Sequence, residues 1–417
     1  MLALADCNNF YASCERLFQP SLRDKPVVVL SNNDGCIIAR SNEAKAIGIK
    51  MGQPAFKIKH LIKENNIHVF STNFTLYGDL SKRVMSTLRS EVNRMEVYSI
   101  DEAFMSFKGE GGFEEKALML KQKVAKHVGI PVSIGVAPTK ALCKVANHIA
   151  KKHTKTGIFL LEDKKLIERA LKWFPVEELW GIGRKYVNQL KSIGIHTAWE
   201  LCQIEDNWIR RNLTVRGLKL VKELKGIPCF SLEETAPRKK NICTSRSFGK
   251  EIATIQELKE AVSNYANTCA KKLRKEKSTC NKLTLFLSTN PYKLKAKQYY
   301  GVKSFTFDTP TSDSMEIVKA SLDMLKKLYR DDCIYKKAGV IVGGIVPEEQ
   351  LQLHLFDTID RNKRKAINQA LDNINNHIGR DKVKLAVQGY GRKWRLKQEK
   401  LSPCYSTRLD EALTVLV

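Results

Sequence analysis

The sequence has no long apolar run, no paired cysteines and no targeting signal. None of its hydrophobic stretches approaches the roughly eighteen residues of a membrane-spanning helix, and the first residues lack the pattern of a signal peptide. The eleven cysteines are scattered, without a Cys-x-x-Cys pair, which argues against a disulfide framework and against a zinc module. We therefore expect reduced thiols, a cytoplasmic location and no membrane partner.

Acidic residues are also under-represented. The 417 residues include 71 Lys and Arg but only 44 Asp and Glu, which gives a net charge of +27. A surplus of this size predicts a polyanionic partner, and a nucleic acid is favoured because the sequence has no membrane-spanning segment. The chain is too long for one ordinary hydrophobic core, so we expect three or four packed units.

Two adjacent carboxylates, Asp101 and Glu102, separate two alternating apolar segments in the stretch Val97–Met105. Neighbouring side chains in a regular strand point to opposite faces, so these two can meet at one ion only where a turn breaks the alternation. The tip of a β-hairpin provides such a turn. Adjacent carboxylates repel each other unless a cation holds both ionised, which indicates a divalent metal site; a solvated acidic turn is the alternative.

A third acid, Asp6, ends the short apolar strand predicted at the start of the chain. When an insertion at 11–69 is set aside, the predicted order is strand, helix, strand, strand, helix, strand, which is the split βαβ arrangement. This topology places the first strand beside the acidic hairpin, so Asp6 can meet Asp101 and Glu102. Three converging acids suit two divalent ions about 3.5–4 Å apart and indicate phosphoryl or nucleotidyl transfer.

The insertion is predicted to contain a hairpin and a helix. Strands at 27–30 and 36–39 flank an Asp-Gly pair, the strongest short signal for a tight turn. Ser41 or Asn42 can cap the helix that follows.

A second helix, predicted at 139–151, carries basic residues opposite its apolar face. These residues include Lys140, Lys144 and Lys151. Their side chains could neutralise a triphosphate beside the three acids, or they could form an ordinary solvated face.

After residue 165 the sequence predicts a helical region, which is followed by a strongly basic segment. Residues 166–235 are predicted to be all-helical, with Gly181 and Gly183 leaving backbone N–H groups free to bind phosphate; a plain helical hairpin turn is the alternative. Residues 236–300 contain fifteen Lys and Arg against four Asp and Glu. Their densest run, Lys271–Lys275, predicts contacts with a nucleic-acid backbone or, alternatively, a solvated surface.

A second α/β domain is predicted near the C-terminal end. Strands at 282–288 and 338–345 flank a predicted helix at 313–329. From about residue 348 the sequence predicts a polar tail, interrupted by the peptide Gln352–Phe356.

Several motifs occur together, and in order, as they do in Y-family DNA polymerases, and the chain resembles the UmuC branch of that family. The resemblance covers essentially the whole chain and depends on six groups of residues: Ala5–Glu15, Lys25–Cys36, Tyr98–Phe104, Ala146–His148 with Ala150–Lys152, Trp180–Gly183 and Ser245–Gly249. It implies an α+β multidomain fold, a right-hand polymerase with a split-βαβ palm, small fingers, a helical thumb and an α/β little finger. The implied domains are the palm at 1–10 and 70–164, the fingers at 11–69, the thumb at 165–235, the little finger at 240–347 and a C-terminal tail at 348–417.

The resemblance also implies roles for individual residues. Asp6, Asp101 and Glu102 would be catalytic metal ligands, and the backbone carbonyl of Cys7 would complete one ligand set. Tyr11 matches the steric gate whose ring would exclude a ribose 2′-hydroxyl. The nucleotide would further contact Phe10, Asn42, Lys45 and Lys151. The positions implied or predicted to bind DNA are Gly181, Gly183, Arg246, Lys271, Lys272, Arg274 and Lys275.

Two positions depart from the pattern of many relatives. Lys45 keeps a positive charge but lacks the bidentate fork of an arginine. Asn8 stands where many relatives have another acid.

The implied function is error-prone translesion DNA synthesis in DNA-damage tolerance, including SOS mutagenesis. Two Mg²⁺ ions would support the joining of a primer 3′-hydroxyl to the α-phosphate of a deoxynucleoside triphosphate on primer–template DNA, with pyrophosphate as the leaving group. Low fidelity is expected because a single shape-selective pocket discriminates by only a few kcal/mol. The implied partners are a UmuD-type dimer, RecA and a sliding clamp, in a bacterial, nucleoid-associated setting.

The peptide that interrupts the polar tail resembles the motif by which bacterial polymerases dock on the sliding clamp. Its matching residues are Gln352, Leu353, Leu355 and Phe356. A short apolar turn covering the preceding domain is the alternative.

Two other classes of function remain open from the sequence. One is a catalytically silent DNA-binding scaffold of the same fold, against which the three acids argue. The other is a nucleotidyl cyclase, which can share a two-metal palm but has no use for Tyr11 or for the basic 236–300 segment. Primer extension with Mg²⁺ would exclude the first, and triphosphate turnover without DNA would reveal the second.

Overall fold

The structure of the chain is a computed structural model. It describes residues 1–107, 109, 111–235, 237–352, 354–379, 381–391, 394 and 396–414. The chain divides into two compact units: one comprises Met1–Ser31, Gly35–Ala236 and Glu399–Val417, and the other Asn32–Asp34 and Pro237–Gln398. Among the described residues, no helix has both the length and the apolar character needed to cross a membrane.

The helices and strands of the first unit are, in chain order, β1 (Leu2–Cys7), α1 (Phe10–Phe18), β2 (Val27–Leu30), β3 (Ile37–Arg40), α2 (Asn42–Ala46), α3 (Lys59–Glu64), β4 (His68–Ser71), α4 (Phe74–Arg89), β5 (Met95–Val97), β6 (Glu102–Ser106), α5 (Phe113–Val128), β7 (Val132–Ala137), α6 (Lys140–His153), β8 (Ile158–Leu160), α7 (Lys164–Trp173), α8 (Arg184–Ser192), α9 (Ala198–Cys202) and α10 (Asp206–Leu224). Those of the second unit are β9 (Asn241–Ile252), α11 (Ile255–Lys275), β10 (Ser278–Thr289), β11 (Tyr300–Thr311), α12 (Ser314–Leu328), β12 (Tyr335–Pro347) and α13 (Arg361–His377).

The main sheet of the first unit has the strand order β5-β6-β1-β7-β8. β1 lies at its centre and runs antiparallel to β6 and β7, with Asp6 opposite Glu102. Both faces of the sheet are covered, which is why β1 is a nearly continuous apolar run: Ala3 and Ala5 pack with α4 and α5, whereas Leu4 packs with α6. The predicted split-βαβ order, with β1 beside the acidic hairpin, is confirmed.

A smaller sheet in the same unit has the order β3-β2-β4. β2 and β3 pair antiparallel as predicted, but the prediction of a tight Asp-Gly turn between them is wrong. The connection is longer and includes a 3₁₀ turn at Asn32–Asp34, and Gly35 has a φ of −81°, whereas a type I′ turn needs positive φ at both central residues. β4 pairs parallel to β2 up to Ser71, so the predicted boundary at residue 70 falls within a strand. Ser41 caps α2 by accepting a hydrogen bond from the N–H of Ala44.

Helices α7 to α10 pack beside α6. Apolar side chains from all five helices belong to one core, among them Leu142, Leu171, Leu190, Leu201 and Leu220. This core lies on the face of the main sheet that also receives Leu4 and Phe104 from β1 and β6.

The second unit is built on a sheet with the order β11-β10-β12-β9. The predicted strands and helix correspond to β10, β12 and α12, and the structure adds β9, β11 and α11. Both α11 and α12 contribute to the core beneath the sheet, where Leu283, Leu285 and Leu287 of β10 are buried at every second position. Alternate residues of β11 on the opposite face, such as Tyr300 and Val302, are exposed.

The residues after 348, predicted to form a polar tail, are partly folded. α13 belongs to the second unit, where its Asn368 is buried and donates a hydrogen bond to Asp313 (2.7 Å). The chain from Glu399 onward belongs to the first unit, where Ser402 and Cys404 are buried. Ile367, Leu371 and Ile374 recur at helical spacing, so the sequence does contain an apolar stripe for α13, and the prediction of a polar tail overlooked it because most of the residues around the stripe are polar.

Candidate active site

The three predicted acids lie at one edge of the main sheet. Asp6 and Glu102 occupy directly opposite positions on β1 and β6. The backbone N–H of Cys7 donates to the carbonyl of Asp101 (2.8 Å), and this bond ties the acidic tip to the end of β1. Asp101 is oriented by Ser99, whose hydroxyl donates to its carboxylate (2.6 Å). Residues about ninety-five positions apart are therefore held side by side by strand pairing.

Helix α6 supplies the cations that face these acids. Lys144 donates to the Glu102 carboxylate (2.5 Å), and Lys151 forms an ion pair with Asp6. The helix lies close to β7 because Gly135 has no side chain: a Cβ at that position would come within 2.2 Å of the backbone nitrogen of Asn147. Lys144 and Lys151 are thus turned toward the acids and are not simply solvated, whereas Lys140 is buried and forms an ion pair with Glu96.

The pKa of Asp6 reflects burial and the charged groups around it. Burial raises the pKa of Asp6 to about 6; Lys151 opposes this rise, and the carboxylates of Glu102 and Asp101 add to it. Asp6 and Glu102 are each turned to a lysine of α6, and within the described ranges of the chain no three His, Cys, Asp or Glu side chains are gathered, as they stand, to hold a metal ion. The thiol of Cys7 lies in the apolar core, where burial raises its pKa, so this side chain stays a neutral thiol.

Tyr11 is held among aromatic rings. Its ring stacks on that of Tyr77, with centroids 4.5 Å apart and an angle of 16°, and meets the edge of Phe74 at 6.1 Å. The ring of Phe10, which belongs to the apolar core, lies 5.7 Å away. Burial raises the pKa of the Tyr11 hydroxyl and the Asp101 carboxylate adds to the rise, which places this side chain near the acidic tip.

Asn42 and Lys45, predicted to contact the nucleotide, come together with a residue that the sequence did not single out. Asn9 donates to the side-chain oxygen of Asn42 (3.0 Å) and accepts from the amine of Lys45 (2.5 Å). Burial lowers the pKa of Lys45, and the positive charges of Arg40 and Lys151 lower it further. Basic groups are therefore concentrated beside Asp6, as an anionic ligand would require.

Other contributors to this site carried only weak signals in the sequence. Asn9 has a φ of 49°, a conformation that asparagine tolerates better than most residues. Lys144 was placed on the basic face of α6, but its pairing with Glu102 was not foreseen. Tyr77 is an apolar-face residue of an ordinary amphipathic helix, so nothing in its spacing distinguishes it from core packing.

The glycines predicted to bind DNA lie at the start of α8. Gly183 is the N-terminal cap residue of this helix, and Gly181 has a φ of 86°. In the part of the chain that the structure describes, no atom outside the adjoining residues lies within 4 Å of a Cβ built at either position, so both backbones are open to an approaching group.

The basic run Lys271–Lys275 of the second unit makes contacts within the protein as well as facing solvent. Arg274 forms a bidentate ion pair with Asp372 of α13, at 2.7 and 3.0 Å, and its side chain is only 15% exposed. Lys271 donates to the side chain of Asn376 (2.9 Å). Lys272 and Lys275 are exposed. Two members of the run therefore hold α13, and two present charge to the surface.

The remaining predicted positions are in the second unit as well. Arg246 is an exposed residue of β9. Its register partner on β12, Ala338, is buried on the side of the sheet that α11 and α12 cover. In the peptide after β12, Leu355 and Phe356 are 89% and 79% exposed, and Gln352 is exposed too. Leu353 lies outside the described residues.

Comparison with known proteins identifies the family. A model of the impB/mucB/samB family matches residues 5–148, and a model of the C-terminal domain of that family matches residues 239–355. The chain belongs to the impB/mucB/samB family. A further model, of a domain of unknown function (DUF4113), matches residues 365–415.

Relatives in the impB/mucB/samB family match along the full length. The chain is 41% identical to protein UmuC of Salmonella typhimurium, and the match covers 100% of both chains. It is 40% identical to protein SamB of Salmonella typhimurium over 98% of each chain, and 28% identical to DNA polymerase IV of Bacillus velezensis over 91% of each.

Solved structures share the fold. A Y-family DNA polymerase chimera of Dbh and Dpo4 matches with a TM-score of 0.67 at 20% identity, over 83% of this chain and 99% of the other. An insertion ternary complex of Dbh DNA polymerase matches with a TM-score of 0.54 at 21% identity and the same coverage. The predicted polymerase fold and the predicted membership of the UmuC branch are confirmed. The chain is a translesion DNA-directed DNA polymerase that depends on a divalent metal and binds DNA and nucleotides.

Proposed function

We propose that Asp6, Asp101 and Glu102 hold two Mg²⁺ ions at the place where this polymerase joins a deoxynucleotide to the primer. The backbone carbonyl of Cys7 completes one ligand set. The donor set supports this assignment: carboxylates are the ligands that Mg²⁺ prefers, and their mutual repulsion contributes to the raised pKa of Asp6. When bound, the ions activate the attacking primer 3′-hydroxyl and stabilise the leaving pyrophosphate.

The lysines of α6 prepare this site. A metal ligand must be ionised, and Lys151 favours the charged form of Asp6, while Lys144 holds the Glu102 side chain by an ion pair. Because the pKa of Asp6 is about 6, its carboxylate is ionised at neutral pH. Lys151, which pairs with Asp6, would be released to bind the triphosphate if metal ions neutralised that carboxylate.

The triphosphate would lie along Asn42, Lys45 and Lys151. Lys45 is held by Asn9 and Asn42, which orients a flexible amine without neutralising its charge. Its lowered pKa reflects burial and the neighbouring cations, and the negative charge of an incoming triphosphate would act against both by favouring the charged amine. These residues therefore bind and orient the nucleotide, while the acids bind the reacting centre.

Tyr11 would act as the steric gate against ribonucleotides. Its ring is fixed by the stack on Tyr77 and by the edge of Phe74, and Phe10 packs beside it from the core. A ring held on several sides cannot move away from a 2′-hydroxyl without disturbing its neighbours. Such steric exclusion discriminates against ribose because repulsion rises steeply once atoms overlap.

We assign the polymerase domains to the observed elements. The main sheet with α4, α5 and α6 forms the palm, and the smaller sheet with α2 and α3 forms the fingers. Helices α7 to α10 form the thumb, and the four-stranded sheet of the second unit forms the little finger. Gly181, Gly183, Arg246 and the exposed lysines of α11 would bind the DNA backbone without regard to sequence.

The partners are proposed from the family. The exposed peptide with Gln352, Leu355 and Phe356 would dock on a sliding clamp, which raises the effective concentration of the polymerase at the primer end. A UmuD-type dimer and RecA would assist synthesis past lesions, in a cytoplasmic, nucleoid-associated setting.

The observation that carries this proposal is the register of Asp6 with Glu102 beside Asp101. Primer extension across an abasic template, with and without a UmuD-type dimer, a RecA filament and a clamp, tests it directly. We expect Mg²⁺-dependent incorporation that increases with added Mg²⁺ and stops with a chelator. A protein that binds primer–template but incorporates nothing in any of these mixtures would contradict it.

A further inference from the structure

The C-terminal segment of the first unit, defined here as residues 399–408, packs against the N-terminal end of α4. The backbone of Lys400 pairs with Ser71: its N–H donates to the Ser71 hydroxyl (3.0 Å), and its carbonyl accepts from the Ser71 N–H (2.8 Å). The side-chain amide of Asn73 donates to the carbonyls of Ser402 (2.9 Å) and Pro403 (3.2 Å). The segment therefore covers the turn that starts α4.

That turn carries the rings that surround Tyr11. Asn73 caps α4 by accepting from the N–H of Leu76, and Phe74 and Tyr77 lie in the first turn of the helix. Tyr77 is fully buried under Tyr11. The same asparagine thus fixes the start of α4 and binds the C-terminal segment.

A buried carboxyl group joins the segment to the ring stack. The hydroxyls of Tyr77 and Ser402 both donate to the same oxygen of Glu15, at 2.5 and 3.0 Å. All three side chains are buried. Burial raises the pKa of Glu15 to about 7, and the hydrogen bonds from the two hydroxyls, which oppose this rise, help to satisfy the buried carboxyl group.

The segment also contacts the end of α1, the helix that carries Tyr11. The ring of Tyr405 stacks on Phe18 with centroids 4.7 Å apart and an angle of 16°. The side chain of Gln19 donates to the Tyr405 hydroxyl (3.1 Å). Both helices that build the aromatic stack are therefore held by the same stretch of chain.

We propose that the C-terminal segment is a positioning element for Tyr11 and thereby helps to set the selectivity for deoxyribose over ribose. This inference depends on the proposed role of Tyr11 as the steric gate. Ser402 is the residue through which the segment acts, by way of Glu15 and Tyr77. The C-terminal segment lies within the region that matches a domain of unknown function, so this role assigns a function to part of that domain.

The physical basis is the steepness of steric exclusion. A gate discriminates between a hydrogen atom and a hydroxyl group, so a small displacement of its ring admits the larger group. Without the hydrogen bond from Ser402, Glu15 keeps only the bond from the Tyr77 hydroxyl. The C-terminal segment is then held less firmly against the first turn of α4. Tyr77, and Tyr11 with it, then gain freedom to move.

The test compares variants in single-nucleotide insertion, with the ratio of kcat/KM for a deoxynucleotide to that for the matching ribonucleotide as the readout. Ser402→Ala and Tyr77→Phe each remove one hydroxyl that binds Glu15, and each should lower the ratio about threefold to tenfold, the size expected for one hydrogen bond. The rate with deoxynucleotides should change less. Thr407→Ala, which removes an exposed hydroxyl from the same segment, is the matched control and should leave the ratio unchanged.

Tyr11→Ala separates failure of this inference from failure of the gate assignment. If Tyr11→Ala leaves the ratio unchanged, Tyr11 is not the gate and both ideas fall. If it lowers the ratio but neither Ser402→Ala nor Tyr77→Phe does, the gate stands and the positioning role is overturned. In the double variant with Ser402→Ala, we expect no loss beyond that of Tyr11→Ala alone, because the segment acts through that ring.

Additive losses in the double variant would mean that the segment acts elsewhere, which also overturns the proposal. Thermal unfolding of each variant identifies those that fold. If Ser402→Ala does not fold, Tyr77→Phe, which keeps the ring in the stack, supplies the answer.

Discussion

Asp6 and Glu102 lie directly opposite each other on adjacent antiparallel strands, and each carboxylate is paired with a lysine of the same helix. The two lysines, Lys151 and Lys144, are seven residues apart on α6, close to two helical turns, so both side chains leave the same face of the helix. Strand pairing thus fixes the positions of the two acids, and the helix fixes the positions of the two lysines. The predictions that follow test how this arrangement is used.

Removal of the Asp101 carboxylate should abolish synthesis but not DNA binding. We expect Asp101→Ala to lower the rate of Mg²⁺-dependent primer extension roughly 10³-fold or more, because a metal ligand is lost at the reacting centre. The affinity for primer–template, measured by fluorescence anisotropy, should stay close to that of the wild type. Asp331→Ala, at an exposed position of the second unit, is the control. Substantial residual extension by Asp101→Ala would refute the metal assignment.

Tyr11→Ala should admit ribonucleotides. Loss of the ring removes the steric penalty against the 2′-hydroxyl, so selectivity should fall more than the rate with deoxynucleotides. Steady-state insertion kinetics with each nucleotide type measure both quantities. Tyr292→Ala removes a tyrosine that is 91% exposed and should change neither. An unaltered preference for deoxynucleotides in Tyr11→Ala would mean that the residue only packs beneath the sugar.

The two exposed lysines of α11 should contribute to the salt dependence of DNA binding. Changing Lys272 and Lys275 to Gln should reduce the slope of log affinity against log salt by up to about 2, since each phosphate contact contributes about 0.9. Arg274 is left intact because it holds α13 through Asp372. The same double change at Lys326 and Lys327, exposed on α12, is the control for net charge. Equal slopes for the two double variants would show that the α11 lysines are ordinary solvated surface.

Leu355 and Phe356 should be needed for clamp-dependent synthesis alone. Their large exposed apolar surfaces suit insertion into a hydrophobic pocket of a partner. Changing both to Ala should abolish stimulation by the clamp in a processivity assay and leave synthesis without a clamp unchanged. Leu409→Ala, at a position that is 97% exposed, should keep the stimulation. Equal loss of both activities in the Leu355/Phe356 variant would indicate a folding role for the peptide.

Glu15 should make the protein less stable as the pH rises. Its folded pKa of about 7 exceeds the ordinary value of 4.5, so the folded protein retains a proton that the unfolded chain has already released. The free energy of unfolding should therefore fall between about pH 4.5 and 7, by up to about 3 kcal/mol for this group.

Glu15→Gln keeps an oxygen for the hydroxyls of Tyr77 and Ser402 but removes the titration. Urea unfolding at pH 5 and pH 8 should show a smaller loss of stability for this variant than for the wild type. Other groups that titrate in this window, such as Asp6, cancel in the comparison. Glu64→Gln, at an exposed glutamate, should behave like the wild type. Parallel losses in the wild type and Glu15→Gln would show that Glu15 is not the responsible group.

Local patterns were sufficient to predict that the three acids meet and to predict much of the fold. The apolar strand ending in Asp6, the alternating segments around Asp101 and the order of strands and helices place the three acids together, because strand pairing in a split-βαβ sheet allows few alternatives. The motifs that resemble the UmuC branch added the residues that are expected to contact the nucleotide. Both kinds of signal reside in short, contiguous stretches.

Contacts between distant polar residues could be known only from the folded chain. The bond between Ser402 and Glu15 spans 387 positions, and the pair of Arg274 with Asp372 spans 98. Neither member of such a pair shows a periodicity or composition that points to the other, since a single hydrogen bond or ion pair imposes no pattern on its neighbours. For this reason the sequence predicted a DNA-binding arginine and a polar tail, whereas the fold gives Arg274 an internal partner and brings the end of the chain beneath the ring stack of Tyr11.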